Sequence, residues 1–333
     1  MLRLPPSAVI RPEDLSQALA ALAGPGPARA LAGGTALLPA YKHGLGEGAA
    51  LVCLSRLPLA GIEARDGGWF LGAGATLAAL ERWAAPGALG AIAQAAALVA
   101  APPIRTRATL GGNLCLDTRC HFYNQSAFWR SGRPPCHKTG GEVCHAVPGS
   151  RRCHACHQAD LPPLLVALGA EAAIAGAGGT RRVPLEELYS GDGRGPIRLE
   201  PGELLTGVCV PAPTPGVGAA YEKLRPRKGL DFPAAAAAVW VEADGSGRCR
   251  AARVVLGAVA SGPLRVPAAE EALVGSRLED QALEAAAEAA RRAARPVTNA
   301  DFTPAYRRKV AGTLVVRAAL RAWKSAAAEG GAP

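Results

Sequence analysis

The sequence predicts a mixed α+β fold in two domains. An α/β-type domain runs to about Val210, a smaller α+β domain begins near Gly218, and a cysteine-rich insert interrupts the first. Three observations predict this. The 333 residues, 49% of them apolar, suffice for about two cores at roughly 150 residues per domain. Strand-length and helix-length apolar runs alternate up to Val210, whereas beyond Gly218 strands come first and helices last, the order of a small α+β domain. Between 115 and 157 neither period is present, yet this stretch holds six of the nine cysteines and five of the six histidines.

Taken in order, Pro12 to Leu22 reads as a helix with proline at its start and Gly24-Pro25-Gly26 behind it. A strand, Ala28 to Leu31, leads into Ala32-Gly33-Gly34-Thr35. Strand-like Leu51–Leu54 and Trp69–Gly72 follow, then helices from Thr76, an N-cap, to about Ala85 and from Leu89 to Ala100. Globular patterning resumes at Asp160-Leu161 and runs to Val210, and 211–218, with three prolines and two glycines, reads as a linker. Ala234–Glu242 and Arg253–Ala260 look like strands. Leu278–Ala294 and Pro304–Trp323 look like helices, the second with Thr303 as its cap.

Composition excludes several classes. The apolar fraction rules out disorder, and no three-residue glycine period exists for a collagen-like chain. Ala234–Val241 is the longest obvious apolar run, far short of the ~18 residues of a membrane span. Met1-Leu2-Arg3-Leu4-Pro5-Pro6 offers no signal-peptide core, so a cytoplasmic protein without membrane association is expected. Gly72-Ala73-Gly74-Ala75-Thr76-Leu77 has leucine where the third glycine of a dinucleotide fingerprint belongs, and no P-loop occurs.

Gly33-Gly34 with Thr35, and Gly111-Gly112 between Thr109 and Asn113, share a design. Paired glycines let backbone N–H groups turn toward one point, where a pyrophosphate is a natural occupant. A single such pair among 40 glycines reads as an ordinary turn; two, each with a hydroxyl or amide neighbour, add modestly to the phosphate reading, and neither fits a nucleotide fingerprint.

Cysteines 115, 120, 136, 144, 153 and 156 fall within 42 residues, where even spreading would place about one. In a chain without a secretory signal such density points to metal ligation rather than disulfides. Thiolates serve both tetrahedral zinc and cubane clusters; Cys153 and Cys156 form the one close pair and the other gaps are wide, so spacing leaves the metal open. His121, His137, His145, His154 and His157 accompany the cysteines and read as solvent-facing or supporting groups. Cys53, Cys209 and Cys249 read as small core residues. From Arg105 to Arg152 eight Lys or Arg face Asp117 and Glu142, within a chain of formal charge +10. Such a field suits an acidic protein partner or bound phosphate; no recognition helix or aromatic-interleaved motif supports nucleic acid. A zinc-stabilised basic binding module is the reading from a different functional class.

Ala32-Gly33-Gly34-Thr35, Ile104-Arg105 leading to Thr109-Leu110-Gly111-Gly112-Asn113, Asp160-Leu161-Pro162 and Tyr221-Glu222-Lys223 together resemble the flavin-binding subunits of the xanthine dehydrogenase and CO dehydrogenase family of molybdenum hydroxylases. The insert, from Asp117-Thr118-Arg119-Cys120-His121-Phe122-Tyr123-Asn124-Gln125-Ser126 through Cys136, Cys144-His145 and Cys153-His154-Ala155, resembles the branch of 4-hydroxybenzoyl-CoA reductase β subunits. The resemblance implies an FAD-binding domain of the p-cresol methylhydroxylase type over 1–213, made of two α/β subdomains, and a CO-dehydrogenase-flavoprotein-like α+β domain over 218–325. FAD would be held by Leu31, Ala32, Gly33, Gly34, Thr35, Ala36, Leu37 and Leu38, and by Thr109, Gly111, Gly112 and Asn113. Asp160 would bind a polar part of it, Leu205 would pack on the ring and Lys223 would approach it. The resemblance also implies a [4Fe–4S] cluster on Cys120, Cys136, Cys144 and Cys153, with Cys115 a non-ligand and Cys156 an alternative to Cys153. It further implies a molybdenum–pterin large subunit, a [2Fe–2S] small subunit and a ferredoxin donor. No catalytic side chain is expected in this chain, and an FAD subunit of another molybdenum hydroxylase of the family is the alternative.

Overall fold

In the computed structural model residues 3–330 are described, apart from 47, 66 and 228; Met1 and Leu2 of the leader reading lie outside them. Three sheets organise the chain. The first is parallel, ordered β1-β3-β2, from β1 (Val9–Ile10), β2 (Ala28–Leu31) and β3 (Ala50–Cys53), with α1 (Leu15–Ala23) and α2 (Leu37–Lys42) as connections. Helix α1 starts later than Pro12 because Asp14, in extended backbone, accepts a hydrogen bond from the Gln17 N–H at 2.9 Å and so sets the first turn.

The second sheet is antiparallel, ordered β4-β5-β8-β6-β7: β4 (Ile62–Arg65), β5 (Gly68–Gly72), β6 (Glu171–Gly176), β7 (Gly179–Pro184) and β8 (Leu204–Pro211). Between β5 and β6 lie α3 (Leu77–Arg82, capped by Thr76), α4 (Gly90–Ala97), α5 (Pro102–Arg105), α6 (Leu110–Leu114), α7 (Ala127–Ser131) and α8 (Leu161–Ala167). Leu77, Leu80, Ile92, Leu110, Leu161 and Leu165 from these helices share one core with Leu71 and Val208 of the sheet.

The third sheet, β12-β11-β10-β9, is antiparallel: β9 (Val217–Leu224), β10 (Ala235–Ala243), β11 (Cys249–Gly257) and β12 (Leu264–Arg265), followed by α9 (Pro267–Leu273), α10 (Asp280–Ala293) and α11 (Pro304–Gly330). The unbroken apolar run in β10 is explained by burial on both faces. Ala236 and Ala238 join the core of the preceding sheet, whereas Ala235, Ala237, Val239 and Val241 face α10 and α11. Helix and sheet approach closely here: a Cβ on Gly218 of β9 would lie 1.9 Å from the Ala322 carbonyl of α11. The first two residues of β9, Val217 and Gly218, fall in the stretch 211–218 read from the sequence as linker; they instead begin the edge strand of this sheet, covered on one face by α11.

Candidate functional site

Strand β2 delivers the chain into the first glycine loop. Gly34 adopts φ +71°, open to glycine at little cost. Gly33 packs so tightly that a Cβ there would lie 1.8 Å from the Arg107 carbonyl oxygen, which joins this loop to the segment leading into the second. Leu31, Leu37 and Leu38 pack beside Tyr41 and Leu51 and hold the loop's two ends. The backbone N–H groups of Gly33, Gly34, Thr35 and Ala36 donate to no backbone or side-chain acceptor among the described residues. Gly33 and Gly34 are half-buried and Thr35 and Ala36 exposed, so these four donors are free to meet water or an anion. On and just beyond α2 the Tyr41 hydroxyl and His43 Nδ1 are also buried without partners. Neither was legible in the sequence, since both signals are orphaned atoms rather than motifs.

The second glycine segment is a short helix rather than an open loop. Thr109 caps α6 by accepting from the Gly112 N–H at 3.1 Å, and the Gly111 N–H donates to the Ala73 carbonyl at 2.8 Å. Gly111 is required by contact: a Cβ would lie 2.8 Å from that of Ala73. The N–H donors expected of Gly111 and Gly112 are thus engaged within the chain. Asn113 accepts from the Leu161 N–H through Oδ1 at 3.1 Å, tying α6 to the start of α8. Arg105 is buried; its Nε and Nη2 donate to the two Glu81 carboxylate oxygens at 2.8 and 2.9 Å and its Nη1 to the Val99 carbonyl at 3.0 Å, which fixes the preceding turn.

Asp160 and Lys223 meet each other. Lys223 Nζ donates to Asp160 Oδ1 at 2.7 Å and to the Leu98 carbonyl at 2.7 Å, and the Tyr221 hydroxyl donates to the same carboxylate oxygen at 3.0 Å. Both side chains are at most 4% exposed. Burial pushes the Asp160 carboxyl up and the Lys223 amine down, each opposed by the other's charge. The pair links α8 to β9. Leu205, on β8, is buried in the core beside the β6–β8 bulge.

The insert is closed at its neck by a two-way backbone pair, Arg119 N–H to the Cys156 carbonyl at 2.8 Å and Cys156 N–H to that of Arg119 at 2.7 Å. Within it Cys120, Cys136, Cys144 and Cys153 line one small internal cavity, together with Lys138 and His154. Cys120 is fixed by its N–H to Asn124 Oδ1 at 2.9 Å and Cys136 by its N–H to Thr139 Oγ1 at 2.9 Å. Gly193 closes over Cys153, where a Cβ would stand 2.8 Å from the sulfur. Cys156 turns away: its thiol donates to the Ala260 carbonyl at 3.3 Å and burial holds it protonated, with a pKa of about 11. Cys115 is likewise outside the cavity, pushed up to about 12 by burial. Cys249 is a core residue as expected; Cys53 and Cys209 are half-buried.

No group of three or more His, Cys, Asp or Glu among the described residues is drawn together closely enough for a single metal ion. Tetrahedral zinc needs thiolates about 3.8 Å apart, given zinc–sulfur bonds of about 2.3 Å. Cys120, Cys136, Cys144 and Cys153, the four ligands the resemblance implied, line the same cavity without forming such a group. Several insert histidines bond locally: His137 Nε2 to the Ser150 carbonyl (2.8 Å), His145 Nε2 to that of Pro134 (2.9 Å) and His154 Nε2 to Ser150 Oγ (2.8 Å).

His157 is different. It is 2% exposed, stacks edge-on against Tyr189 at 5.1 Å, and its Nε2 has no partner. Burial pushes its pKa from 6.5 down to about 4. The folded chain keeps it neutral while the unfolded chain takes a proton near 6.5, so stability is full above that pH and falls as the pH drops toward 4. The His157 contribution lost is on the order of 3 kcal/mol. Urea melts at about pH 7 and about pH 5 should show His157→Phe flattening this limb; parallel curves for the two proteins contradict the assignment.

Four unpaired backbone donors, a tight glycine seam and a buried ion pair between α8 and β9 are the features of this part of the chain. The chain belongs to the FAD-binding subunits of the xanthine and CO dehydrogenase family of molybdenum hydroxylases: residues 5–213 match the FAD binding domain in molybdopterin dehydrogenase, and 219–322 the CO dehydrogenase flavoprotein C-terminal domain. It is 33% identical over 317 residues to the carbon monoxide dehydrogenase medium chain of Afipia carboxidovorans, covering 94% of this chain and 95% of the relative. It is 35% identical over 276 residues to the aldehyde oxidoreductase FAD-binding subunit PaoB of Escherichia coli, covering 77% and 82%. Among solved structures, CO dehydrogenase from Oligotropha carboxidovorans superposes with a TM-score of 0.80 at 31% identity over 97% of this chain and 100% of that one. Quinoline 2-oxidoreductase from Pseudomonas putida 86 gives 0.77 at 26% identity over 97% and 99%. The FAD-binding fold read from the sequence is therefore the fold found. No helix among the described residues is long and apolar enough to cross a membrane.

Proposed function

We propose that this chain is the FAD- and [4Fe–4S]-carrying electron-transfer subunit of an enzyme of the 4-hydroxybenzoyl-CoA reductase type. It would assemble in the cytoplasm with a molybdenum–pterin large subunit and a [2Fe–2S] small subunit, and a ferredoxin would supply its electrons. Removal of the phenolic hydroxyl of an aromatic acyl-CoA belongs on this reading to the large subunit. The observation that carries the reading is the single cavity shared by Cys120, Cys136, Cys144 and Cys153, with Cys115 and Cys156 facing elsewhere.

Bound FAD supplies two-electron and one-electron exchange, and a cluster single electrons. This chain's residues do the holding. Gly33, Gly34, Thr35 and Ala36 offer N–H donors to the pyrophosphate, Thr109 and Asn113 fix the facing segment, and the Asp160–Lys223 pair locks β9 against α8. Lys138 is 4% exposed and its Nζ donates to Asp117 at 2.6 Å, Thr118 at 2.7 Å and the Gly193 carbonyl at 2.6 Å, which places a fixed positive charge on the thiol cavity's wall. A positive charge favours the more reduced, more negative state of whatever the thiolates hold. Lys138→Met should therefore lower the midpoint potential of the cavity's centre in an EPR-monitored titration; an unchanged or raised midpoint contradicts this.

The direct test is iron and acid-labile sulfide analysis of anaerobically purified protein. Replacing any of the four cavity cysteines by alanine should remove the cluster's iron, whereas Cys115→Ala and Cys156→Ala should keep it. A second reading, an FAD subunit of a CO dehydrogenase-type hydroxylase that passes electrons outward, fits the relatives equally well, their alignment spanning 94% of the chain. It predicts flavin without iron.

A further inference from the structure

Beside the insert lies an open groove of about 780 Å³. Its walls come from three places: Arg152 and His154 of the insert, Arg291, Arg292 and Arg295 at and after the end of α10, and Arg308 with Lys309 on α11. Against these cations the lining offers one carboxylate, Glu288. Glu288 and Glu284 pair with Arg291, and Glu288 reaches Arg292 at 3.8 Å. Arg152, Arg295, Arg308 and Lys309 are exposed and have no carboxylate within ion-pair distance among the described residues.

Helix-dipole compensation accounts for Arg291 and Arg292, which sit in the last turn of α10. It does not account for Arg308 and Lys309, which stand toward the N-terminal end of α11, where the dipole is no help to a cation. Nor does it account for Arg152, delivered from the insert. Cations from three separate segments converge where local structure gives no reason for them.

The groove also touches the thiol cavity. His154 lines both, and its chain neighbour Cys153 is one of the four cavity cysteines. His154 is thus common to both walls. Asn299 secures it, donating through Nδ2 to the His154 carbonyl at 2.5 Å.

We propose that this groove is the docking face for an acidic, one-electron carrier protein, and that it sets the carrier beside the thiol cavity. The inference rests on the reading that the cavity holds a redox centre. The exchange is a bare electron transfer: the reduced carrier loses one electron, the centre gains one, and no bond or proton moves. The donors lining the groove are exposed, flexible Arg and Lys heads rather than backbone N–H groups, which suits a carboxylate-studded protein face more than a small polyanion.

A small acidic ferredoxin, chemically reduced, serves as probe for the full-length chain. Stopped-flow electron transfer should be fast at low salt and slow steeply as salt rises. Combining Arg295→Glu, Arg308→Glu and Lys309→Glu should slow it about tenfold or more at low salt. Arg182→Glu, on the edge strand β7, should not, and dithionite should reduce all the proteins alike. Calorimetric binding of the same ferredoxin separates this inference from the cluster reading. Salt-sensitive binding lost in the triple variant supports the groove even where iron is absent, which would sink only the cluster. Unchanged binding in the triple variant overturns the groove, as does displacement of ferredoxin by pyrophosphate or duplex DNA. Loss of ferredoxin binding when the partner subunits assemble on the chain overturns it too.

Discussion

Arg307→Met is expected to destabilise the chain by about 3 kcal/mol or more, because each buried acceptor left without its donor costs about 1–3 kcal/mol. Arg307 has no exposed surface at all. Its guanidinium donates to the Ala234 carbonyl (2.7 Å), the Val297 carbonyl (2.9 Å), Asn299 Oδ1 (3.2 Å) and the Ala258 carbonyl (2.6 Å), and rests 3.8 Å from the Cys156 sulfur. Those acceptors belong to the entry of β10, the exit of β11, the turn before α11 and the base of the insert. Methionine fills the space but satisfies none of them. The His121 N–H donates to the Asn299 carbonyl at 3.0 Å, so the damage should spread into the insert. Thermal or urea unfolding checks the size, and limited proteolysis within 120–157 checks the spread. A loss below about 1 kcal/mol contradicts the account.

Gly33→Ala is expected to weaken flavin binding roughly 10–100-fold while the chain still folds. The added methyl meets the Arg107 carbonyl oxygen at 1.8 Å, so the loop must lift from the segment that leads into Thr109. Overpacking of this kind costs about 1–3 kcal/mol, and each 1.4 kcal/mol is about a factor of ten in affinity. The cost falls on binding because the shifted residues carry the idle N–H donors, Gly33 to Ala36. Flavin titration of the apoprotein measures it. Wild-type affinity in this variant would show that the seam between the two glycine segments does not hold the cofactor.

Much of this was legible in the sequence because the signals were local. Thr76 and Thr303 cap the helices expected of them, with bonds of 3.1 and 3.3 Å, and the strand 28–31 has the bounds read from the residues. Strand β9 was hidden because Val217-Gly218-Ala219-Ala220 follows a run of prolines and has small residues where an alternating strand would show bulk. The small residues are there because α11 presses on that strand. Glycine chemistry was half legible: both pairs are tight contacts, yet one leaves its N–H groups open and the other engages them, and only the third dimension decides which. Arg307 could not be seen, since an arginine among Arg308 and Lys309 on an amphipathic helix looks like surface. The cysteines announced themselves by density, but spacing did not separate Cys153 from Cys156; the turn that aims one sulfur inward and ties the other to Ala260 is tertiary.

The most direct measurement is an anaerobic visible and EPR reductive titration of the purified chain with FAD and iron supplied. The account predicts a flavin double band over a broad sulfur-to-iron absorption that bleaches on reduction, with a low-temperature EPR signal lost when Cys153, but not Cys156, is replaced by alanine. Flavin alone, with no bleachable band and no iron, would contradict it and leave an FAD subunit of the ordinary hydroxylase kind.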